Sequence, residues 1–269
     1  MPFTQLIVLA VLQAVTEIFP IGATGHIALI SQILDWQDPG EGFRILVRAG
    51  LLLAVLAYFW SDLFDMIAGV ARAAKGKRDP GARLALQLAI AAIPILGLGF
   101  AFEHYVAGAW ETPHVMGWML AGGALLLLFF DRMSMTVKRI EHATFVDAFA
   151  VGLGQVVGLI PGAGAAAFSI IFARLLGYER ADAARFSFLL FVPVAATVIG
   201  RDTYMFVEAG QGQFLRSDVV GGGISFFAGI FALAIMMAWL RRSSFTPFVV
   251  YRLLLGIAVL GLAYAFVDL

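Results

Sequence analysis

Apolar residues run through this chain in long stretches separated by short charged loops, and the lengths of those stretches decide what the chain can build. Six of them, roughly 43–71, 84–102, 114–131, 185–200, 219–240 and 247–267, are long enough as helices, at about 1.5 Å per residue, to cross a hydrocarbon layer of about 30 Å. The stretch 185–200 is the shortest. Two more, roughly 3–34 and 145–177, are interrupted near the middle by proline and small residues. The interruptions read Pro20-Ile21-Gly22-Ala23-Thr24-Gly25 and Pro161-Gly162-Ala163-Gly164-Ala165-Ala166-Ala167. Proline removes a backbone donor and clashes with the preceding turn, so each interruption predicts two helical arms joined at a turn. The pattern is that of an all-α integral membrane protein.

Composition agrees with this reading and narrows it. Hydrophobic residues make up 61% of the chain and charged residues 13%, with a mean hydropathy of +0.92. A soluble domain is about one-quarter charged, so most of this surface must face hydrocarbon. Eighteen basic against 18 acidic residues give no net charge, which sets aside a nucleic-acid partner. The absence of cysteine excludes disulfides, iron–sulfur centres and Cys-zinc sites, leaving four histidines and the carboxylates as metal ligands. The leading Met-Pro-Phe-Thr-Gln carries no positive charge, so the first 30 residues read as part of the mature fold rather than as a cleaved leader.

Charge placement tests how the second broken stretch runs, because Lys and Arg gather on the cytoplasmic side. If it is a hairpin returning to the side it entered from, the loops 72–83, 131–144, 174–185 and 241–242 share one face and bring 13 basic residues there, against Arg201 and Arg216 on the other. A single crossing would divide them ten against five. The hairpin fits better. The first broken stretch is assigned as a hairpin by likeness: Gln13 and Gln155 precede Pro20 and Pro161 by seven and six residues, and each turn leads on to an Arg-bearing span. The expected topology is six transmembrane helices plus two re-entrant helical hairpins, with both termini outside. It forms a single membrane domain, 1–269, of inverted repeats about 1–130 and 131–269. Inverted repeats with broken helices commonly place an anion or ion site where the helix tips meet near the midplane.

Candidate chemistry clusters at those tips. Glu17 lies three residues before Pro20 in an otherwise apolar arm, with Gln13 one turn earlier on the same face. A carboxylate at that depth is functional by default, and its setting suits proton transfer. Thr24, Gly25 and His26 open the second arm, where free backbone N–H groups bind phosphate readily, and His26 has the chemistry of a donor, nucleophile or acid. The matching helix start near Gly162 and Gly164 has backbone donors only, with no hydroxyl until Ser169. Arg44 and Arg48 share a helix face; Arg44 and Arg185 read as snorkelling side chains, and Arg48, a turn deeper, as a partner for Glu17 or for an anionic ligand. Glu103, His104, Glu111 and His114 read as a solvated loop without tight metal-ligand spacing.

Several segments then carry a resemblance. Thr16-Glu17-Ile18-Phe19-Pro20-Ile21-Gly22-Ala23-Thr24-Gly25-His26, the aromatic run Tyr58-Phe59-Trp60, Pro161-Gly162, Arg185-Phe186-Ser187-Phe188-Leu189-Leu190 with Pro193, and Phe245-Thr246-Pro247-Phe248-Val249-Val250-Tyr251-Arg252 resemble the undecaprenyl-diphosphate phosphatase (bacitracin-resistance) family, in order and with similar spacing. The resemblance implies a bacterial inner-membrane enzyme that takes the terminal phosphate from undecaprenyl diphosphate and so recycles the lipid carrier of cell-wall (peptidoglycan) synthesis. It also implies an inverted-repeat fold with two re-entrant hairpins and a site open to the periplasm. Gln13, Glu17 and His26 match the family's motif. Gly22 and Ala23 stand where the family has paired serines, Gly164, Ala165 and Ala166 where it has Ser-Arg-Ser, Arg48 where it has glutamine, and Arg44 at a commonly acidic position. For hydrolysis the resemblance implies Glu17 as base or proton donor, His26 as nucleophile or acid, Gln13 and Thr24 as orienting groups, Arg48 as phosphate clamp, and the backbone of 162–167 as anion holder. By analogy with the family, a divalent cation, Mg²⁺ or Ca²⁺, would bridge the diphosphate and Glu17. A non-hydrolytic carrier or flippase of polyprenyl phosphate or another anionic lipid, an idle binding homologue, and a homodimer all stay open at this level.

Overall fold

A computed structural model describes every residue except 1, 24, 25, 28, 29, 31–33, 35, 37, 106–109, 135 and 267–269, together with the side chains of all described residues but 100, 103–105, 211 and 266. The chain is built of helices: α1 (Phe3–Ile18), α2 (Glu41–Tyr58), α3 (Trp60–Ala73), α4 (Pro80–Tyr105), α5 (Pro113–Met133), α6 (Phe145–Val157), α7 (Ala165–Leu175), α8 (Arg180–Phe206), α9 (Arg216–Leu240) and α10 (Thr246–Phe266). Helices α4, α5, α8, α9 and α10 are long and apolar enough to cross a membrane, and α2 with α3 makes a sixth span bent by 75°. The protein is a multi-pass membrane protein. Phe227, Phe231 and Ile235, one stripe of α9 at helical spacing, stand 63%, 69% and 58% exposed, a surface that only hydrocarbon solvates well.

Two sequence expectations change. The stretch 43–71 is not one helix: it breaks at Phe59, whose ring turns inward against Phe188 with centroids 6.3 Å apart. The stretch 185–200, expected to be the shortest span, lies within the longest described helix, the 27-residue α8. Its flanking charges looked like chain ends but are neutralised inside the fold. Arg185 pairs with Asp62 of α3, Arg180 with Asp131 at 2.7 Å, and Asp202 with Arg48 at 2.7 Å. Arg185 therefore belongs to an ion pair between helices rather than to a free snorkelling position.

Small residues let the helices approach closely. Where α2 crosses α9, the Cβ that Gly50 lacks would run into the backbone of Gly222, and Ser225 Oγ donates to Val47 O at 2.8 Å. Helices α6 and α7 fold back on one another, with Gly154 against Phe172 and Gly158 against Ala165. Their outer ends are fastened together. Arg174, fully buried, forms an ion pair with Asp131 at 3.3 Å without hydrogen-bond alignment of its Nε, and donates to Asp131 O at 3.0 Å and to Tyr178 O. Asp147 accepts from Thr144 N–H, Lys138 and Tyr178 Oη at 3.1–3.3 Å. Burial and the neighbouring Asp147 carboxylate push the Tyr178 phenol above its ordinary pKa, which keeps it a donor.

Candidate functional site at the meeting of two turns

Each broken stretch turns on glycine. After α1, Phe19 N–H donates to Val15 O at 2.9 Å and Ile21 N–H to Phe19 O at 2.7 Å, and Gly22 takes a φ of +86° that a side chain resists. After α6, Gly162 and Gly164 have φ of +86° and +80°, and Gly164 caps α7. The two turns touch: a Cβ on Gly164 would lie 3.7 Å from Gly22 Cα. One buried side chain ties them together. Arg252 Nη1 donates to Pro20 O at 3.3 Å, Nη2 to Gly162 O at 3.0 Å, to Ala163 O at 2.5 Å and to Met119 O at 3.1 Å, and Nε to Leu120 O at 2.9 Å. Gly123 leaves the space that this guanidinium occupies.

Beside the turns lies a cavity of about 20 Å³, room for roughly one water. Glu17 and Ile18 of α1, Leu51 of α2, Gln155 of α6, Ala165 and Ala166 of α7, and Ser187, Phe188 and Phe191 of α8 line it. Gln155 is buried and its Oε1 has no hydrogen-bond partner among the described residues, an unusual state for a buried amide. The first turn of α7 opens on the cavity, where the leading N–H groups of a helix lack intrahelical partners and the alanine side chains leave them approachable. A carboxylate, an amide oxygen and a helix start thus converge on a site of one-water size.

The structure gathers some of the residues singled out in the sequence and separates others. Glu17 lines the cavity, and Arg48 acts on it as an opposite charge, but Arg48 hydrogen-bonds Asp202 rather than Glu17. Arg48 sits one turn before Leu51, a cavity residue, on α2. Arg44 is held outside by Asp38 at 2.5 Å and by Glu41, and that bond keeps the Asp38 carboxyl below the usual carboxylate range. His26 does not line the cavity. Its Nδ1 is 2.7 Å from Gly22 O and its Nε2 2.8 Å from the Tyr251 hydroxyl of α10. Ser169 turns into its own helix and donates to Ala165 O at 2.7 Å. Gln13 is half-buried on α1 and is not among the cavity residues. Thr24 and Gly25 lie outside the described residues. His114 packs edge-on against Tyr264, ring centroids 4.7 Å apart.

Sequence reading passed over Gln155, Asp202, Tyr251 and Arg252 as site residues. The available signal was polarity out of place: an arginine six residues into the apolar run that begins at Thr246, and a glutamine mid-way along an apolar arm. Among the described residues no three His, Asp or Glu side chains stand close enough to hold a metal ion. Glu17 and the unpaired Gln155 oxygen are two oxygen donors on one cavity, the sparse set Mg²⁺ accepts when substrate phosphates complete its shell.

Comparison with known proteins gives a consistent answer. Residues 6–258 match the family described as Bacitracin resistance protein BacA. Undecaprenyl-diphosphatase 1 of Rhodospirillum rubrum is 42% identical over 276 residues, covering 98% of this chain and 96% of that protein. The undecaprenyl-diphosphatase of Ruegeria pomeroyi is 37% identical over 270 residues, covering 98% of this chain and all of that protein. That of Desulforudis audaxviator is 35% identical over 259 residues, with 96% of each chain covered.

Proposed function

The chain belongs to the Bacitracin resistance protein BacA family, and from that premise we propose that it removes the terminal phosphate of undecaprenyl diphosphate, yielding undecaprenyl phosphate and inorganic phosphate. The observation that carries the proposal is the position of Glu17: the one charge of α1 faces a water-sized cavity against the open start of α7. Glu17 takes a proton from a water seated there while Gln155 Oε1 accepts the water's other hydrogen. The water oxygen attacks the terminal phosphorus, the bond from that phosphorus to the bridging oxygen breaks, and undecaprenyl phosphate departs. Amides of 162–167 and Arg48 hold the phosphate oxygens, Arg48 by leaving Asp202 for the substrate. His26, at the start of the second arm, serves as the acid for the leaving oxygen. A divalent cation would draw on Glu17 and Gln155 with the diphosphate oxygens and would offset the charge of the departing phosphate.

The finer topology belongs to the same reading. Six spans, two re-entrant hairpins meeting from opposite sides, inverted repeats about 1–130 and 131–269, termini outside and a site open to the periplasm of the inner membrane are supported by the distribution of basic residues and by the contact between the two turns. The test is a product balance. Purified protein given undecaprenyl diphosphate and Mg²⁺ should release phosphate and undecaprenyl phosphate in equal amounts. Movement of polyprenyl phosphate across a vesicle bilayer with no phosphate released would replace this reading with that of a carrier.

A further inference from the structure

Building on the part given to His26 above, we propose that Tyr251 is the positioning residue for His26, fixing which ring nitrogen exchanges a proton. Gly22 O can only accept, so the Nδ1 that lies 2.7 Å from it carries the hydrogen. In the neutral ring Nε2 then holds the lone pair, and the Tyr251 hydroxyl at 2.8 Å donates to it. The two rings are nearly parallel, 5° between planes with centroids 5.5 Å apart, and lie side by side, so the imidazole is held at both of its nitrogens. His26 is 5% exposed and Tyr251 47%, so the tyrosine stands between a buried Nε2 and the surface. The next residue, Arg252, binds carbonyls of both turns, which fastens the helix that carries the hydroxyl to the turn that carries the imidazole. Nε2 is therefore kept as the basic nitrogen: it takes up a proton from solvent as substrate binds, and the imidazolium so formed passes that proton from Nε2 to the leaving oxygen and returns to the neutral ring.

The experiment compares wild type with Tyr251→Phe, which keeps the ring and loses only the hydroxyl. Imidazole ¹⁵N spectra of the four histidines, with His26 assigned by its disappearance in His26→Gln, are recorded beside kcat and KM for phosphate release. Wild-type His26 should appear as the Nδ1–H tautomer with a hydrogen-bonded Nε2. In Tyr251→Phe the Nε2 resonance should move downfield, and kcat should fall roughly 10- to 100-fold with KM within about twofold. An unmoved Nε2 resonance overturns the proposal, whether or not kcat falls. Wild-type protein that releases no phosphate, or His26→Gln that releases it at the wild-type rate, would instead sink the catalytic reading, and the spectra would still decide whether Tyr251 sets His26.

Discussion

The two broken helical stretches are alike at their turns and opposite in where they carry charge. Both turn on proline followed by a glycine at φ +86°, and the turns touch. The second stretch carries its charge at its base, where Arg174 meets Asp131 and Asp147 meets Lys138. Its tip offers only backbone and alanine. The first stretch has no charge along α1 except Glu17, and that charge stands at the tip, on the cavity. Buried charge must be paired or put to use. The second unit pairs its charges and becomes a fixed wall, and the first leaves one carboxylate, with no hydrogen bond from its side chain among the described residues, facing that wall.

The contrast can be broken at several points. The largest effect on stability is expected from Arg252→Leu, which strips the shared donor from both turns. Three turn carbonyls, those of Pro20, Gly162 and Ala163, lose it, and at about 1–3 kcal/mol for each unsatisfied group the loss should exceed about 3 kcal/mol in denaturation measured in detergent. Arg174→Met should cost less, about 2–3 kcal/mol, because Asp131 keeps Arg180 as a partner. Turnover per folded molecule should stay near wild type, since the loosened base is remote from Glu17. Gly22→Ala asks alanine for a φ of +86° and moves Leu120; a loss of about 1–2 kcal/mol, with reduced turnover, is the expected result of thermal unfolding and activity assays together. The smallest effect is at the pair of Arg72 with Asp79, whose side chains are 49% and 12% exposed. Hydrogen bonding to Arg72 holds the Asp79 carboxyl below its usual value, so whatever the pair contributes is present above about pH 4 and fades as pH falls through the lowered value. Asp79→Asn should unfold almost as wild type does near neutrality, and the two curves should merge in acid.

Much of the helical plan was legible because membrane spans announce themselves by length and apolarity, and because Pro20 and Pro161 stand with glycines that turn the chain, whereas Pro94 and Pro193, without such neighbours, lie inside α4 and α8. The 75° bend at Phe59 was not legible: no proline or glycine marks it, and the burial of the Phe59 ring against α8 takes part in it. Nor was the length of α8, whose charged residues find partners 123 and 154 positions away. At the site, the depth of Glu17 in an apolar arm was enough to single it out. The partner of Arg48, the tie made by Arg252 and the hydroxyl against His26 all depend on contacts between distant helices, which local pattern does not encode.

The central claim is that the chemistry rests on the carboxylate at the tip of the first stretch. Phosphate release from undecaprenyl diphosphate, measured side by side for wild type and Glu17→Gln at matched folded protein, tests it most directly. The account predicts release by wild type and a fall of roughly 1,000-fold in Glu17→Gln, with thermal stability little changed. A Glu17→Gln variant that releases phosphate at the wild-type rate would contradict it.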